Sequence, residues 1–330
     1  MFQVLPAPDY RDALVRDLQT AKHRVVIVVH LFLWDDDTQP VFDALEAAAR
    51  RGVQMQVVFD TFTRYSVTRG LLPYNPLRSP DPKRLAATLA GFDRLRAAGA
   101  EVVELGSVGR FNPYRGRCHA KFSVVDDIAY CFGGTNLYRE GITQSLDYMT
   151  RLEHAGLASE LCATAATMAG GGLAPDHRWR LDAASELLVD HGQPRASIIY
   201  DQACAYAAQA KRVYYVSQFY PTGRLAGLLR RSDTTCYTNR PRHTTRHVAA
   251  MLIADRLKTG LTNHYRRDIF LHAKFILFEL RDGTRALLAG SHNFSWPGVL
   301  FGTQEVAVAS TDPKLWQALY DYLQSEVAAR

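Results

Sequence analysis

The sequence predicts an α/β protein built from two divergent copies of one unit. Three observations predict it. A β-α-β alternation opens the chain, a string centred on His-x-Lys occurs twice, and the helix–strand outline around the first string begins again half-way along. The string reads RCHAKFSVVDD at 117–127 and FLHAKFILFEL at 270–280, its histidines 153 residues apart. That interval is too long for a solenoid and fits a fused pair of domains.

Taken in order, DYRDALVRDLQTAK reads as a helix and AKHRVVIVVHLFLW (21–34) as a β-rich run buried on both sides. TQPVFDALEAAARRGV is apolar at i, i+3, i+4 and i+7, the signature of a helix, and QMQVVFD follows as a strand. Such alternation implies mixed, mainly parallel sheets covered by helices. Residues 64–84 hold four prolines and read as a long exposed loop, after which LAGFDRLRAAGAEVVELG restores helix and strand. Residues 170–184, opening GGGLAPDHRWR, are the best linker candidate, which divides the chain into halves of 1–169 and 185–330. In the second half YDQACAYAAQAKRVYYVSQFYP repeats the first helix and its passage into an apolar strand, and GRLAGLLRR takes the place of VFDALEAAARR.

At 330 residues, 47% apolar and 22% charged, the chain has the make-up of a soluble globular protein. Its five cysteines (118, 131, 162, 204, 236) are odd in number and lack metal-ligand spacing, so a disulfide framework is not expected and a reducing, cytoplasmic compartment is. The N-terminus shows no signal-peptide pattern, and the longest apolar run, VVIVVHLFLW, is half of a bilayer span. Any membrane contact would be peripheral, at the inner face. A net charge of +6 and a pI near 9.1 favour polyanions or anionic surfaces without separating nucleic acid from lipid.

The repeated string carries the chemistry. Copy one has His119, Lys121, Asp126 and then Gly-Gly-Thr-Asn ending at Asn136; copy two has His272, Lys274, Glu279 and then Gly-Ser-His-Asn ending at Asn293. On a strand, alternation turns histidine and lysine to one face, and the glycines let the chain bring asparagine back beside them. Lysine supplies a compact positive charge and asparagine an amide donor, while imidazole can attack phosphorus or move a proton. One copy could only bind an anion. Two facing copies allow a two-step displacement, in which one histidine attacks and the other protonates the leaving oxygen. No metal or other cofactor is expected, because lysines and asparagines already neutralise the phosphoryl oxygens.

The duplicated His-x-Lys-x4-Asp string followed by Gly-Ser-x-Asn resembles the signature of the phospholipase D superfamily. The resemblance implies two α/β sandwich halves related by a pseudo-twofold axis, with the active site at their interface. It also implies His119 as nucleophile and His272 as general acid/base, pseudo-symmetry leaving the reverse open, with Asp126 and Glu279 in structural support. Two departures stand out: Glu279 replaces the usual aspartate and Gly134 the first motif's serine. In similar proteins a later acid hydrogen-bonds a catalytic histidine, fixing its tautomer and raising its basicity. Asp147, 28 residues after His119, and Glu305, 33 after His272, occupy that place.

For substrate, residues 29–60 and the stretch CFGGTNLYREGITQSLDYM resemble bacterial cardiolipin and phosphatidylserine synthases of the superfamily. SWPGVLFG (295–302) puts Trp296, Val299, Leu300 and Phe301 after Asn293, a wall suited to acyl chains, and LLPYNPL (71–77) would suit membrane docking. Arg115, Arg117, Arg266 and Arg267 could meet a second phosphate of a lipid. They could equally track a nucleic-acid backbone with Tyr114 and Tyr265 stacking on bases. The expected activity is transfer or hydrolysis of phospholipid headgroups through a phosphohistidine at a peripheral anionic membrane. A metal-independent nuclease or other phosphodiesterase is the alternative, and no obligate protein partner is evident.

Overall fold

The computed structural model describes residues 2–68, 81–106, 116–171 and 174–329. Its first part runs β1 (Gln3–Pro6), α1 (Ala7–Thr20), β2 (Arg24–Val29), α2 (Gln39–Arg50), β3 (Gln54–Asp60), α3 (Phe62–Thr68), α4 (Pro82–Ala97), β4 (Glu101–Leu105), β5 (Arg117–Cys118), β6 (Phe122–Val125), β7 (Ile128–Cys131), α5 (Arg139–Thr143), β8 (Ser145–Leu146), β9 (Tyr148–Glu153) and α6 (Ala155–Ala169). Then follow β10 (His177–Arg180), β11 (Ser185–His191), α7 (Ile198–Gln209), β12 (Ala210–Val216), α8 (Gly223–Leu229), β13 (Asp233–Tyr237), α9 (Arg246–Thr259), β14 (Phe270–Leu271), β15 (Phe275–Leu280), β16 (Arg285–Gly290), α10 (Trp296–Phe301), β17 (Thr303–Ser310) and α11 (Pro313–Tyr322).

Two open sheets hold most of these strands. The first has the order β1-β9-β7-β6-β2-β3-β4 and the second β10-β11-β17-β16-β15-β12-β13. With β1 matched to β11, β9 to β17, β7 to β16, β6 to β15, β2 to β12 and β3 to β13, the two orders coincide. β4 and β10 are the additions at opposite edges. The two-copy α/β architecture is therefore present strand by strand.

The strand sense departs from expectation. In the first sheet only β2–β3 and β3–β4 are parallel, and in the second only β12–β13 and the short β5–β17 pair. The sheets are mixed but mainly antiparallel. The β-α-β opening misleads because each His-x-Lys string leads into a hairpin, β6–β7 or β15–β16, and a hairpin turn reverses the chain. The span read as a linker holds β10, paired antiparallel with β11. The span read as one long loop is shortened by α3 and α4. Pro82 sits in the first turn of α4, where a missing N–H costs nothing, and Asp81 caps Arg84 N.

One apolar cluster runs through both halves, joining Tyr148 of β9 to Phe275 of β15 and Tyr322 of α11. The copies exchange backbone as well. β5 pairs parallel with the start of β17, and β14 pairs parallel with β8. Each exchanged strand ends immediately before a motif histidine, so the fold brings both histidines to the seam between the halves.

Candidate active site

Two backbone bonds place the histidines in equivalent ways. His119 N donates to Gln304 O at 2.9 Å, and His272 N donates to Leu146 O at 2.9 Å, each across the seam. The side chains cross it too. His119 Nδ1 meets Glu305 Oε1 at 2.9 Å, and His272 Nδ1 meets Asp147 Oδ2 at 2.6 Å. Each acid thus serves the histidine of the other copy. A carboxylate only accepts, so each Nδ1 carries the proton and each Nε2 keeps its lone pair. Both imidazoles, with Asn136, Asn293 and Glu305, line one cavity of about 650 Å³.

The glycines of the two Gly-x-x-Asn turns have a role other than backbone freedom. A Cβ on Gly133 would lie 1.9 Å from Tyr148 O, and one on Gly290 would lie 2.3 Å from Val306 O. Only glycine lets each turn press against the strand that carries the acid, which sets asparagine beside the histidines. Asn136 Oδ1 accepts from Leu31 N at 3.1 Å, which leaves its amide hydrogens for the cavity. Asn293 is held by its backbone: its carbonyl accepts from Ser217 Oγ at 3.0 Å and Tyr215 OH at 3.3 Å, and its buried Oδ1 has no protein partner.

The lysines lie under the histidines. Lys121 Nζ donates to His119 O at 2.6 Å and Lys274 Nζ to His272 O at 2.5 Å, both side chains are buried, and neither lines the cavity. They act here as fixed fields rather than as walls. Burial brings Lys121 down to about 8 and Lys274 to about 7. Burial, with Lys274 beside it, brings His272 down to about 4, against the pull of Asp147. His119 is pushed well below the ordinary imidazole value by burial and by both lysines. Glu305 does not offset this, since burial raises its own pKa. Sequence reasoning expected the acids to raise imidazole basicity. Desolvation and the lysine fields outweigh them here, and both imidazoles are neutral.

The other candidates separate. Asp126 accepts from the backbone N–H of Lys22, His23 and Arg24 at 2.8–3.1 Å and ties the start of β2 to the β6–β7 turn. Glu279, at the matching place, lies 4.0 Å from the Arg212 guanidinium. Arg117 lines the cavity but is buried against Asp60, with Nη1 3.1 Å from Oδ1, and Asp60 also accepts from Cys118 N at 2.8 Å. Arg266 is exposed and bonds backbone carbonyls of Asn263 and Tyr265, while Arg267 pairs with Glu326. Neither lines the cavity. Tyr265 is buried with its hydroxyl on Ile269 O, so it cannot stack on a base. Trp296 packs edge-on to Tyr200 outside the lining, whereas Phe301, the last residue of α10, is part of the wall. Arg115, Tyr114 and the 71–77 stretch lie outside the described residues.

Sequence reasoning missed His30, Phe62, Phe219, Val248, Met251, Phe270 and His292 in the lining. His30 donates from Nδ1 to Cys118 O at 2.8 Å, stacks on Phe62 and meets the His119 ring edge-on with centroids 5.0 Å apart. His292 has the opposite sense, its Nδ1 accepting from Phe294 N at 2.8 Å. A histidine inside an otherwise apolar β-run was the available signal for the first. For the second it was a histidine inside the Gly-x-x-Asn turn itself.

Residues 14–168, just under half of the chain, match the family described as "Cardiolipin synthase, PLD-like domain". That part of the chain is thus similar to the phospholipase D-like domain of cardiolipin synthases. Cardiolipin synthase A of Shigella boydii serotype 4 is 28% identical over 156 residues, which are 44% of this chain and 28% of that protein. Its counterpart in Serratia proteamaculans is 29% identical over 152 residues, 43% of this chain and 27% of that protein. The match thus spans little more than a quarter of the length of these curated relatives. In fold the chain is similar to phosphatidylserine synthase of Haemophilus influenzae Rd KW20. That likeness covers 98% of this chain and 85% of the other, with a TM-score of 0.69 at 13% identity. It is also similar to polyphosphate kinase of Porphyromonas gingivalis, covering 98% and 50% with a TM-score of 0.64 at 14% identity.

The serine that the sequence resemblance leads one to expect at position 134 has a steric reason to be missing. A Cβ on Gly134 would lie 2.9 Å and 3.0 Å from the two Asp147 carboxylate oxygens and 3.0 Å from His272 O. At the matching place in the second motif, Ser291 fits and donates to Val306 O at 3.3 Å.

Proposed function

We propose that this protein transfers or hydrolyses phospholipid headgroups through a covalent phosphohistidine. The observation that carries the reading is the crossed pair of histidine–carboxylate bonds opening on one cavity. His119 Nε2 attacks phosphorus, the bond to the headgroup oxygen breaks, and His272 Nε2–H protonates that oxygen. His272 then takes a proton from the incoming alcohol or water, whose oxygen displaces His119. A neutral imidazole has no proton at Nε2 to give. The arriving phosphodiester anion, opposing the lysine fields, raises the His272 pKa and loads the acid when substrate is present. Asn136 and Asn293 supply donors to the phosphoryl oxygens, with Lys121 and Lys274 adding positive potential from beneath.

The assignment of roles has support in the unequal acids. His272 has the shorter bond, 2.6 Å, and a carboxylate that opposes its depression; His119 has the longer bond, to an acid weakened by burial. The better base suits proton transfer. The poorer base suits a nucleophile that must later leave phosphorus.

A lipid is favoured over nucleic acid by the wall: Phe62, Phe219, Val248, Met251, Phe270 and Phe301 line the cavity. Among the described residues, the arginines expected to track a phosphate backbone do not line an open track. Arg117 is held by Asp60, and Arg266 and Arg267 stand outside the lining. The deciding experiment incubates the protein with labelled phosphatidylglycerol, CDP-diacylglycerol and single-stranded DNA in parallel. Turnover of a lipid is expected, and turnover of DNA alone would replace the lipid reading with the nuclease one.

A further inference from the structure

Among the described residues three large apolar side chains stand exposed: Ile253 at 49%, Leu257 at 79% and Trp296 at 38%. All three belong to α9 and α10, and both helices also wall the cavity, α9 through Val248, Met251 and Asp255 and α10 through Pro297, Gly298 and Phe301. Scattered surface apolars need no explanation, but these are not scattered.

The residues of α9 divide by angle. Val248, Met251 and Asp255 share the inward face at spacings of three and four. Arg246, Ala250, Ile253 and Leu257, again at spacings of three and four, share the outward one, and all four are exposed. At 100° per residue Arg256 flanks the outward stripe on one side, and His247 and Lys258 flank it on the other; all three are exposed. The one acid of the helix, Asp255, is half-buried on the cavity face. A stripe of Ala250, Ile253 and Leu257 that begins at Arg246 and is bordered on both sides by cations, with no acid among the helix's exposed positions, suits a helix that meets an anionic membrane interface.

We propose that the outward face of α9, with Trp296 beside the cavity wall on α10, docks this protein on an anionic lipid bilayer. Ile253 and Leu257 enter the boundary between headgroups and acyl chains. Arg246, Arg256 and Lys258 meet lipid phosphates. Because the other face of the same helix lines the cavity, docking sets the cavity wall against the surface from which a phospholipid would enter. The inference rests on the lipid reading for its purpose, and its test does not depend on that reading.

The test is co-sedimentation of the full chain with sucrose-loaded vesicles of phosphatidylcholine alone or with roughly one-third phosphatidylglycerol. The proteins compared are the wild type, Ile253→Glu/Leu257→Glu and Arg256→Gln/Lys258→Gln. None of these residues lines the cavity, so hydrolysis of a water-soluble aryl phosphodiester reports folding and chemistry in each variant. Binding to the anionic vesicles is expected. It should fall about tenfold or more in the Glu variant and several-fold in the Gln variant, with aryl diester turnover unchanged. Equal binding by all three proteins, or no binding by the wild type, overturns the proposal. Sedimentation velocity without lipid adds a further outcome: a wild-type dimer that the Glu variant abolishes would assign the stripe to a second copy of the chain instead. The catalytic reading stands or falls separately, on turnover of lipid dispersed in detergent.

Discussion

Replacing Asp147 with asparagine should slow one chemical step and spare the other. Asp147 is buried, accepts from Tyr148 N at 2.9 Å, and spends its second oxygen on His272 Nδ1 at 2.6 Å. A hydrogen bond to a charged group contributes about 1.5–3 kcal/mol, and each ~1.36 kcal/mol is tenfold in rate. An amide cannot stabilise the imidazolium that forms as His272 takes the acceptor's proton, and its NH₂ favours the wrong tautomer. Loss of the bond in that step therefore costs roughly 10- to 150-fold. Attack by His119 on an aryl phosphodiester needs no proton from His272, because a phenolate of low basicity departs unaided.

Rapid mixing with such a substrate separates the steps. The burst of phenolate reports attack, and the steady state reports transfer to water. For Asp147→Asn the steady rate should fall by that factor, with the burst rate within about threefold of wild type. Glu305→Gln should slow the burst itself, toward the lower end of the same range because burial already weakens Glu305 as a carboxylate. A burst slowed by Asp147→Asn as much as turnover is would refute the division of labour. Interchange of the two results would reverse the histidine roles.

Three further outcomes follow from the same geometry. His272→Asn should accumulate a phosphoryl adduct with an aryl diester while His119→Asn forms none, which intact mass reads directly. Gly134→Ser should lower rather than restore activity, by roughly tenfold or more, since its Cβ crowds both Asp147 oxygens and the displaced acid releases His272; normal turnover in that variant would mean the turn yields without moving Asp147. Stability of the protein without substrate should fall as pH drops from about 6.5 toward 4, because there the unfolded chain binds protons that His272, at about 4, and His119 refuse in the fold. Thermal unfolding across that window should show the slope, and His272→Asn should flatten it.

Much of the site was legible because the chemistry sits in short strings whose local structure is simple. His119 and Lys121 lie in the short link from β5 to β6 rather than on a strand, His272 and Lys274 in that from β14 to β15, and the repeat shows that the two places are equivalent. What was not legible is what depends on two chains of contacts meeting. The partner of each acid is set by β5 crossing to β17 and β14 to β8, pairs two residues long that leave no pattern in composition or periodicity. The strand sense was misread for a related reason. Hydrophobic runs buried on both faces look alike in parallel and antiparallel sheets, and the hairpin turns that decide between them, Asp126–Asp127 and 281–284, are short. The arginines were misread because local charge does not reveal a buried partner: Asp60 lies 57 residues before Arg117, and Glu326 lies 59 after Arg267.

The crossed acids also bear on why the halves remain one chain. Within a single half, the motif histidine would keep its lysine and asparagine but lose both its orienting carboxylate and the backbone carbonyl that fixes its own N–H. Two-copy symmetry alone would allow identical turns, yet the turns differ beside those acids. Ser291 donates to Val306 O at 3.3 Å and accepts from Val306 N at 3.1 Å, on the residue next to Glu305. Gly134 offers Asp147 nothing, which leaves that carboxylate to Tyr148 N and His272. The Asp147 bond to His272 is 2.6 Å long, and the Glu305 bond to His119 is 2.9 Å and shares its carboxylate oxygen with Thr303 Oγ1 at 3.4 Å. The proposed double displacement asks for that inequality, since one imidazole must move protons and the other must let go of phosphorus.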